Sequence, residues 1–162
     1  MVPSLTSAKS KFLSLSISVL SLTIIWPFQA VAYDEAQLTR FKAIKKCRSC
    51  DLSSANLTSL GLARADMEGA NLTGANLTGA NLMLANLYKA DLYEANLTGA
   101  NLKKANLGYA NLKKANLGYA NLYKADLSNA DLTGANIEGA DFRDAIFCNT
   151  KTPWGLENIG CE

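Results

Sequence analysis

The sequence predicts an all-β solenoid over residues 50–148, in which short strand segments wind around a narrow apolar interior. A five-residue period runs without interruption from Asp51 to Cys148. Every central position of this period, from residue 52 to residue 147, is apolar, and sixteen of the twenty are Leu. Self-similarity at a fixed period predicts a repeat architecture, because each unit can bury its apolar side chains only by stacking on its neighbours.

Each repeat unit combines a short extended segment with a corner. Ala lies two positions before the central Leu in most units, with Asn or Asp between them. Residues two apart in a strand point the same way, so Ala and Leu face inward while Asn or Asp faces outward. The last two residues are frequently turn formers, as at Gly74 and Gly134. A long helix is excluded, since five-residue steps at ~100° per residue would spread the Leu residues over every side. The expected core ladder includes Leu72, Leu92, Leu112 and Leu132.

The run Ala-Asn-Leu-Thr-Gly-Ala-Asn-Leu-Thr-Gly at 70–79 resembles the pentapeptide-repeat family. The resemblance implies a right-handed quadrilateral β-helix with ~20 residues per coil, and hence about five coils. Some family members resemble duplex DNA and bind topoisomerase. This chain departs from that pattern, because residues 51–148 contain eight basic and ten acidic residues and are only mildly acidic.

Residues 1–32 predict a secretory signal peptide. Lys9 and Lys11 precede a serine-rich apolar run from Phe12 to Trp26, and Ala30-Val31-Ala32 is a small-residue cleavage pattern. The apolar run is short for a spanning helix, which needs ~20 residues. An uncleaved anchor is the alternative interpretation. The mature chain would begin at Tyr33 and contain no membrane segment.

Cleavage after residue 32 removes two lysines and no acid, so the formal charge falls from +2 to zero. A neutral chain does not predict nucleic-acid binding, which depends on an excess of basic residues. Exported members of the resembled family occur frequently in cyanobacteria. The resemblance therefore implies a destination in the periplasm or the thylakoid lumen.

Four cysteines flank the predicted solenoid and suit an oxidising compartment. Cys47 and Cys50 precede the first coil, whereas Cys148 and Cys161 lie at the far end. The two pairs would be about five strand spacings of ~4.8 Å apart, too far to share one zinc ion through Zn–S bonds of ~2.3 Å. Structural disulfides are favoured, with a redox-active Cys47-x-x-Cys50 as the alternative.

Residues 33–49 predict an N-terminal cap with a short helix between Asp34 and Lys46. Leu38, Phe41 and Ile44 are spaced along one side of this helix and would cover the first coil.

Residues 149–162 predict a C-terminal capping loop that holds Trp154 near the last coil. Caps are needed because the terminal coils of a solenoid expose unpaired strand edges.

Function is expected on the outer surface of the solenoid. The Leu and Ala interior leaves no cleft for convergent polar groups and the chain has no His, so no catalytic residue, metal or cofactor is predicted. If residues ~20 apart stack on one side, as in the resembled family, one side becomes basic, with aromatic and apolar residues interleaved. This side is interpreted as a surface for a protein partner that remains unidentified: Met83, Leu84, Lys103, Lys104, Tyr123, Lys124 and Arg143.

The ten residues 101–110 recur identically at 111–120. Ten residues are half of a coil of ~20, so the copy should place Lys113 and Lys114 on the side opposite Lys103 and Lys104. The side with Tyr93 and Glu94 would then allow Glu94 to pair with Lys114.

The sequence thus predicts an exported, non-enzymatic module that offers a rigid surface to a partner protein. The same surface could also be a merely solvated face in which Tyr and Lys stems cover the coil edges. A thiol–disulfide role for Cys47 and Cys50 is one further alternative. Another is glycan or cell-wall binding through surface tyrosines, since aromatic faces suit sugars: Tyr88, Tyr93, Tyr109 and Tyr123.

Overall fold

The computed structural model describes residues 35–161 of the chain. Its elements are one helix, α1 (Glu35–Ile44), and two short strands, β1 (Thr150–Thr152) and β2 (Gly155–Glu157). Between α1 and β1 the chain is a regular series of turns joined by single parallel bridges. The extended segments between turns are too short to form longer strands. No helix within 35–161 is long and apolar enough to cross a membrane. The predicted signal peptide, residues 1–32, lies outside the described residues.

The bridges define the coils of the solenoid. Each bridge joins a residue to the one twenty positions later, for example Asn71 to Asp91 and Asn111 to Asp131. Because a turn recurs every five residues, each twenty-residue coil has four sides. The ladder extends from Lys46 to Lys151, so it begins and ends a few residues outside the predicted limits of 50 and 148.

Every corner from residue 49 to residue 149 has positive φ at its second residue. Positive φ favours glycine, but most of these corners hold a residue with a side chain, such as Leu84 or Lys104. Left-handed backbone costs such a residue roughly 1–2 kcal/mol. The corners keep this conformation because the coils on either side fix both ends of the turn through backbone hydrogen bonds.

The interior is a continuous column of Leu and Ala side chains contributed by all four sides. Full burial of one Leu is worth ~1.5–3 kcal/mol, so the column rather than any single bridge stabilises the stack. Near the C-terminal end the column is less complete, since Ile137 and Phe142 are only partly buried. The predicted core ladder lies within the column, each residue at most 1% exposed: Leu72, Leu92, Leu112 and Leu132.

The outward Asn and Asp side chains stabilise the corners and the stacking. Asn71 Oδ1, for example, accepts the backbone N–H of Thr73 at 3.1 Å. On the same side of the rod Asp and Asn alternate, and the Asn71 and Asn111 amides donate to Asp51 and Asp91 at 3.0 and 2.8 Å. The alternation avoids stacking one carboxylate directly on another. These residues have a structural role.

Helix α1 packs on the first coil through Phe41, which is fully buried, and Leu38. The prediction that Ile44 shares this side is wrong, because Ile44 is 48% exposed. At ~100° per residue, Ile44 lies ~120° around the helix from Leu38. The helix also ends at Ile44, and Lys46 already belongs to the ladder through its bridge to Asp66.

The C-terminal segment is an antiparallel hairpin of β1 and β2. Thr150 and Thr152 occupy its inward positions and are buried. Trp154 was expected near the last coil, but it lies in the hairpin turn, is 60% exposed, and donates from its indole to Glu157 at 2.7 Å. The hairpin turn therefore leaves Trp154 largely in solvent.

A pair of glycine substitutions tests the corner conformation. Neither Gly61 nor Gly99 has an atom within 4 Å of an added Cβ, but only Gly99 has positive φ, at 64°. Gly99→Ala should lower the free energy of unfolding by roughly 1–2 kcal/mol. Gly61→Ala should leave it unchanged or raise it by ~0.4–1 kcal/mol. Urea unfolding followed by circular dichroism measures both, and equal effects would contradict the left-handed corner.

Candidate interaction surface

The predicted basic side exists as one continuous surface, here named the basic face. Bridges from Asn81 through Asn101 and Asn121 to Asp141 hold four successive units in register. Their corner residues project outward, since Ala and the central apolar residue fill the inward positions. The structure brings all seven candidate residues together on this face: Met83, Leu84, Lys103, Lys104, Tyr123, Lys124 and Arg143.

Tyr123 lies at the centre of the charged part of the basic face. The Nζ atoms of Lys103 and Lys124 are each 5.2 Å from its ring centroid, and Cζ of Arg143 is 5.9 Å away. A cation over an exposed aromatic ring gains ~0.5–1 kcal/mol. The ring therefore holds three cations close together despite their mutual repulsion.

Arg143 is also tied to Asp141 by a two-pronged ion pair. Its Nε and Nη2 donate to Oδ1 and Oδ2 of Asp141, both at 2.8 Å. The side-chain hydrogen bonds from Arg143, followed by its backbone N–H, lower the pKa of Asp141 from 3.8 to about 2. A shallow groove of about 360 Å³ lies between this pair and the ring, lined by Lys103, Asn121, Tyr123, Asp141 and Arg143.

The lysines of the basic face lack acidic partners. Within residues 35–161, no carboxylate oxygen lies within 4.0 Å of Nζ of Lys103, Lys104 or Lys124. The face therefore carries positive charge that other residues of the described chain do not neutralise.

The identical copy of the decapeptide is in a different electrostatic environment. Lys113 Nζ pairs with Asp131 at 3.2 Å, and Lys114 Nζ pairs with Glu94 at 3.2 Å, which confirms the expected Glu94–Lys114 pair. Lys114 also donates to the hydroxyl of Tyr93 at 2.8 Å. The two lysines of one decapeptide are neutralised, whereas the two lysines of the identical decapeptide on the other side of the rod are unpaired. The identical decapeptide sequence therefore does not determine the difference in partners.

One end of the basic face is apolar. Leu84 is 39% exposed at its corner, and Met83 beside it is partly buried. Both lie one coil before Lys103 and Lys104. The face thus combines an apolar end with a cationic centre.

The tyrosines proposed for glycan binding do not form one platform. Tyr88 and Tyr109 share one side, with centroids 5.5 Å apart and planes at 73°. Tyr93 lies on a second side beside Lys114, and Tyr123 lies on the basic face. A glycan along one side would reach at most two of the four candidates.

Sequence reasoning missed Tyr119, which at 68% is more exposed than Tyr109. Its ring lies over Gly139, where an added Cβ would be only 2.6 Å from a ring carbon. A residue with a side chain at position 139 would therefore displace the Tyr119 ring from this position. The twenty-residue spacing between Tyr119 and Gly139 was the signal that could have found this contact.

The structure joins Cys47 to Cys50 and Cys148 to Cys161. A cavity of about 820 Å³ beside the first pair lies between α1 and the first coil, lined by Arg40, Arg48 and Asp66 among others. Arg48 is neutralised there by Asp66 at 2.6 Å. Cys47 is buried, which restricts attack on its sulfur by an external thiol.

Residues 35–161 contain no group of three or more potential ligands from His, Cys, Asp and Glu that could hold a metal ion.

The fold is a repeat solenoid. The corner residues, which differ most from one repeat unit to the next, lie on its outer surface. The family model for pentapeptide repeats matches eight copies, over residues 50–87, 80–118 and 110–147. The chain belongs to the pentapeptide-repeat family, and its fold is accordingly the right-handed quadrilateral β-helix of that family. No curated protein matches the chain significantly.

Solved structures of other pentapeptide repeat proteins are similar to the chain. One from Nostoc is 34% identical, with 65% of this chain and 92% of that chain covered and a TM-score of 0.54. One from the thylakoid lumen of Arabidopsis thaliana is 31% identical, covers 65% and 69%, and has a TM-score of 0.43. HetL, involved in heterocyst differentiation regulation in Nostoc, is 32% identical, covers 69% and 66%, and has a TM-score of 0.30.

The Asp141–Arg143 pair predicts a measurable titration. NMR of the Asp141 carboxyl should give a pKa of about 2, and Arg143→Ser should return it towards 3.8. Because the folded-state pKa is depressed, the pair contributes to stability above pH 3.8, and the contribution is lost as the pH falls through about 2. Arg64→Ser, on the same side of the rod but in an earlier coil, is the control and should leave the Asp141 pKa unchanged. An unshifted wild-type value would show that the ion pair is absent in solution.

Proposed function

We propose that the chain is an exported, non-enzymatic module whose basic face binds a protein partner. In this proposal the rod consists of about five coils, with α1 covering its first coil and the β1–β2 hairpin its last. The observation that carries the proposal is the contrast between the two identical decapeptides. Lys103 and Lys104 remain unpaired beside Tyr123, whereas Lys113 and Lys114 are neutralised.

Rigidity suits such a surface to partner binding. Successive units of the basic face are hydrogen-bonded to one another, as Leu102 N–H is to Asn121 and Asn101 N–H to Ala80. The ring of Tyr123 further restrains three of the cations. A partner would therefore bind a largely preformed arrangement, which lowers the ordering cost of association.

A non-enzymatic role follows from how the interior is filled. Leu and Ala side chains occupy the column from side to side, so it provides no enclosed site where polar groups could converge on a substrate. The basic face is a shallow surface with exposed, charged side chains. Such a surface recognises a partner more readily than it positions reacting atoms.

Export is proposed from residues 1–32, read as a signal peptide, and from the pairing of all four cysteines. Stable disulfides form in oxidising compartments and are rare in reducing ones. The periplasm and the thylakoid lumen are the proposed destinations.

Mass spectrometry of the natively produced protein tests export. The N-terminus should lie at or near Tyr33, and the intact mass should show both disulfides formed. Alkylation without prior reduction should therefore leave all four cysteines unmodified. Intact Met1 in a cytosolic fraction with alkylated cysteines would contradict the proposed export.

Capture from the native compartment tests the partner surface. Replacing Lys103, Lys104, Tyr123 and Lys124 together with Ser should leave the circular dichroism spectrum intact, because these residues lie outside the core. The variant should retrieve less of the partner that the wild type retrieves. Part of the loss should be salt-sensitive, since exposed charges are screened over ~8–10 Å at ordinary ionic strength.

The decapeptide copy supplies the matched control for this capture. Lys113→Ser with Lys114→Ser removes two lysines from identical local sequence and should not reduce retrieval. Equal retrieval by the quadruple variant and the wild type would show that the basic face is only solvated. Retention of insoluble glycan by both, without a protein, would favour the glycan alternative instead.

A further inference from the structure

We propose that the basic face, acting as the partner surface proposed above, binds an extended acidic segment of the partner that also carries an apolar side chain. The inference rests on that proposed function and specifies its ligand chemistry. An extended segment along the rod would place carboxylates against the lysines and an apolar side chain against Leu84.

The positive charge on the basic face favours a ligand with carboxylate groups. The five units on this side contain five cations, Arg64 included, and only two carboxylates, Asp141 and Asp144. Arg143 already has its carboxylate in Asp141. Apart from Arg64, the cations on this side without a carboxylate of residues 35–161 within 4.0 Å are Lys103, Lys104 and Lys124, which stand on two successive corners. Bound carboxylates would relieve the repulsion among them.

The apolar end of the face favours a peptide over a uniformly charged polymer. Leu84 is 39% exposed and lies directly in file with Lys104 and Lys124. An acidic polysaccharide presents charge at regular intervals and has no apolar side chain for Leu84. A peptide can present both kinds of group from the same face of one strand.

The spacing of the face sets the length of the segment. Leu84 and Lys124 are two coils apart, or ~10 Å at ~4.8 Å per strand spacing. Alternate residues of an extended peptide point the same way and are ~6.6 Å apart. An apolar residue followed by acidic residues two and four positions later therefore spans the face, given the reach of the lysine side chains. The peptide Leu-Ser-Glu-Ser-Glu has this pattern.

Tyr123 acts here as a positioning residue. It contacts Lys103, Lys124 and Arg143 and keeps their charges within one small area. Tyr123→Leu would retain an apolar surface for the lysine stems but remove the attraction between cation and ring. Tyr123→Leu should therefore weaken the binding of acidic peptides and leave the binding of neutral peptides unchanged.

Fluorescence anisotropy with labelled peptides tests the inference on the oxidised protein isolated from its own compartment. Leu-Ser-Glu-Ser-Glu should bind about twofold to thirtyfold more tightly than Leu-Ser-Gln-Ser-Gln, since two exposed ion pairs contribute ~0.2–1 kcal/mol each. It should bind about threefold to fivefold more tightly than Ser-Ser-Glu-Ser-Glu, because that peptide leaves Leu84 uncovered.

Protein variants assign the binding to the face. Replacing Lys103, Lys104 and Lys124 together with Ser should abolish the preference for Glu over Gln, and Tyr123→Leu should reduce it. Leu84→Ser should abolish only the preference for Leu over Ser. The matched Lys113→Ser and Lys114→Ser variant should bind all three peptides as the wild type does.

Several outcomes would overturn the inference. Equal binding of the Glu and Gln peptides would show that the face does not recognise acidic residues. If the Lys113 and Lys114 substitutions weakened peptide binding as much as the substitutions on the basic face, the binding would be nonspecific attraction to net charge. Displacement of the peptide by polygalacturonate with no effect of Leu84→Ser on that displacement would assign the face to an acidic glycan. If none of the peptides binds but the quadruple variant still retrieves less of the partner, the proposed function stands and only the proposal of an acidic, apolar-tipped segment is wrong. If partner capture is unaffected by the quadruple variant, the proposed function itself fails.

Discussion

Burial of the Leu and Ala column fixes the register of the coils and, through it, the arrangement of the surface. In an extended segment a shift of one residue would turn Leu outward and Asn or Asp inward, so the apolar pattern permits only one register. That register recurs at twenty-residue intervals along the whole ladder. As a result, the column also decides which surface residues become neighbours. Tyr123 lies between Lys103 and Arg143 because the Leu102, Leu122 and Phe142 positions beneath them stack.

The same constraint explains why the corners tolerate unfavourable backbone. A left-handed residue is costly by itself, yet residues as different as Leu84, Glu94 and Tyr119 adopt this conformation. In the middle coils each corner is fixed at both ends by a buried residue and by hydrogen bonds to adjacent coils. The core thereby leaves the corner side chains free to vary. Variation at the corners without loss of fold is what a binding scaffold requires.

Much of the fold could be predicted because its period is readable in the chain. The inward ladder and the columns of the basic face follow from counting residues. Features outside the period were predicted less well. The predicted burial of Ile44 was wrong because positions three residues apart drift around a helix. The predicted position of Trp154 was wrong because the segment forms a hairpin, with Trp154 in its turn, instead of a simple loop. The pair of Asp141 with Arg143 could not be predicted, since it depends on a side-chain conformation at one corner. Tyr119 over Gly139 was readable in principle, but only once the coil length is known.

Repetition also changes how a functional surface is recognised. In a globular protein an unusual motif signals a site, whereas here the lysine pair occurs twice in identical decapeptides and signals nothing by itself. The difference comes from the coils on either side. Asp131 and Glu94 neutralise the lysines of one copy, whereas the lysines of the other copy lie beside the ring of Tyr123 without an acidic partner. Since the core and the corner geometry are the same for both copies, stability does not account for the unpaired lysines. Their concentration on one side, next to the exposed Leu84, is therefore the feature most directly explained by a ligand that supplies the missing carboxylates.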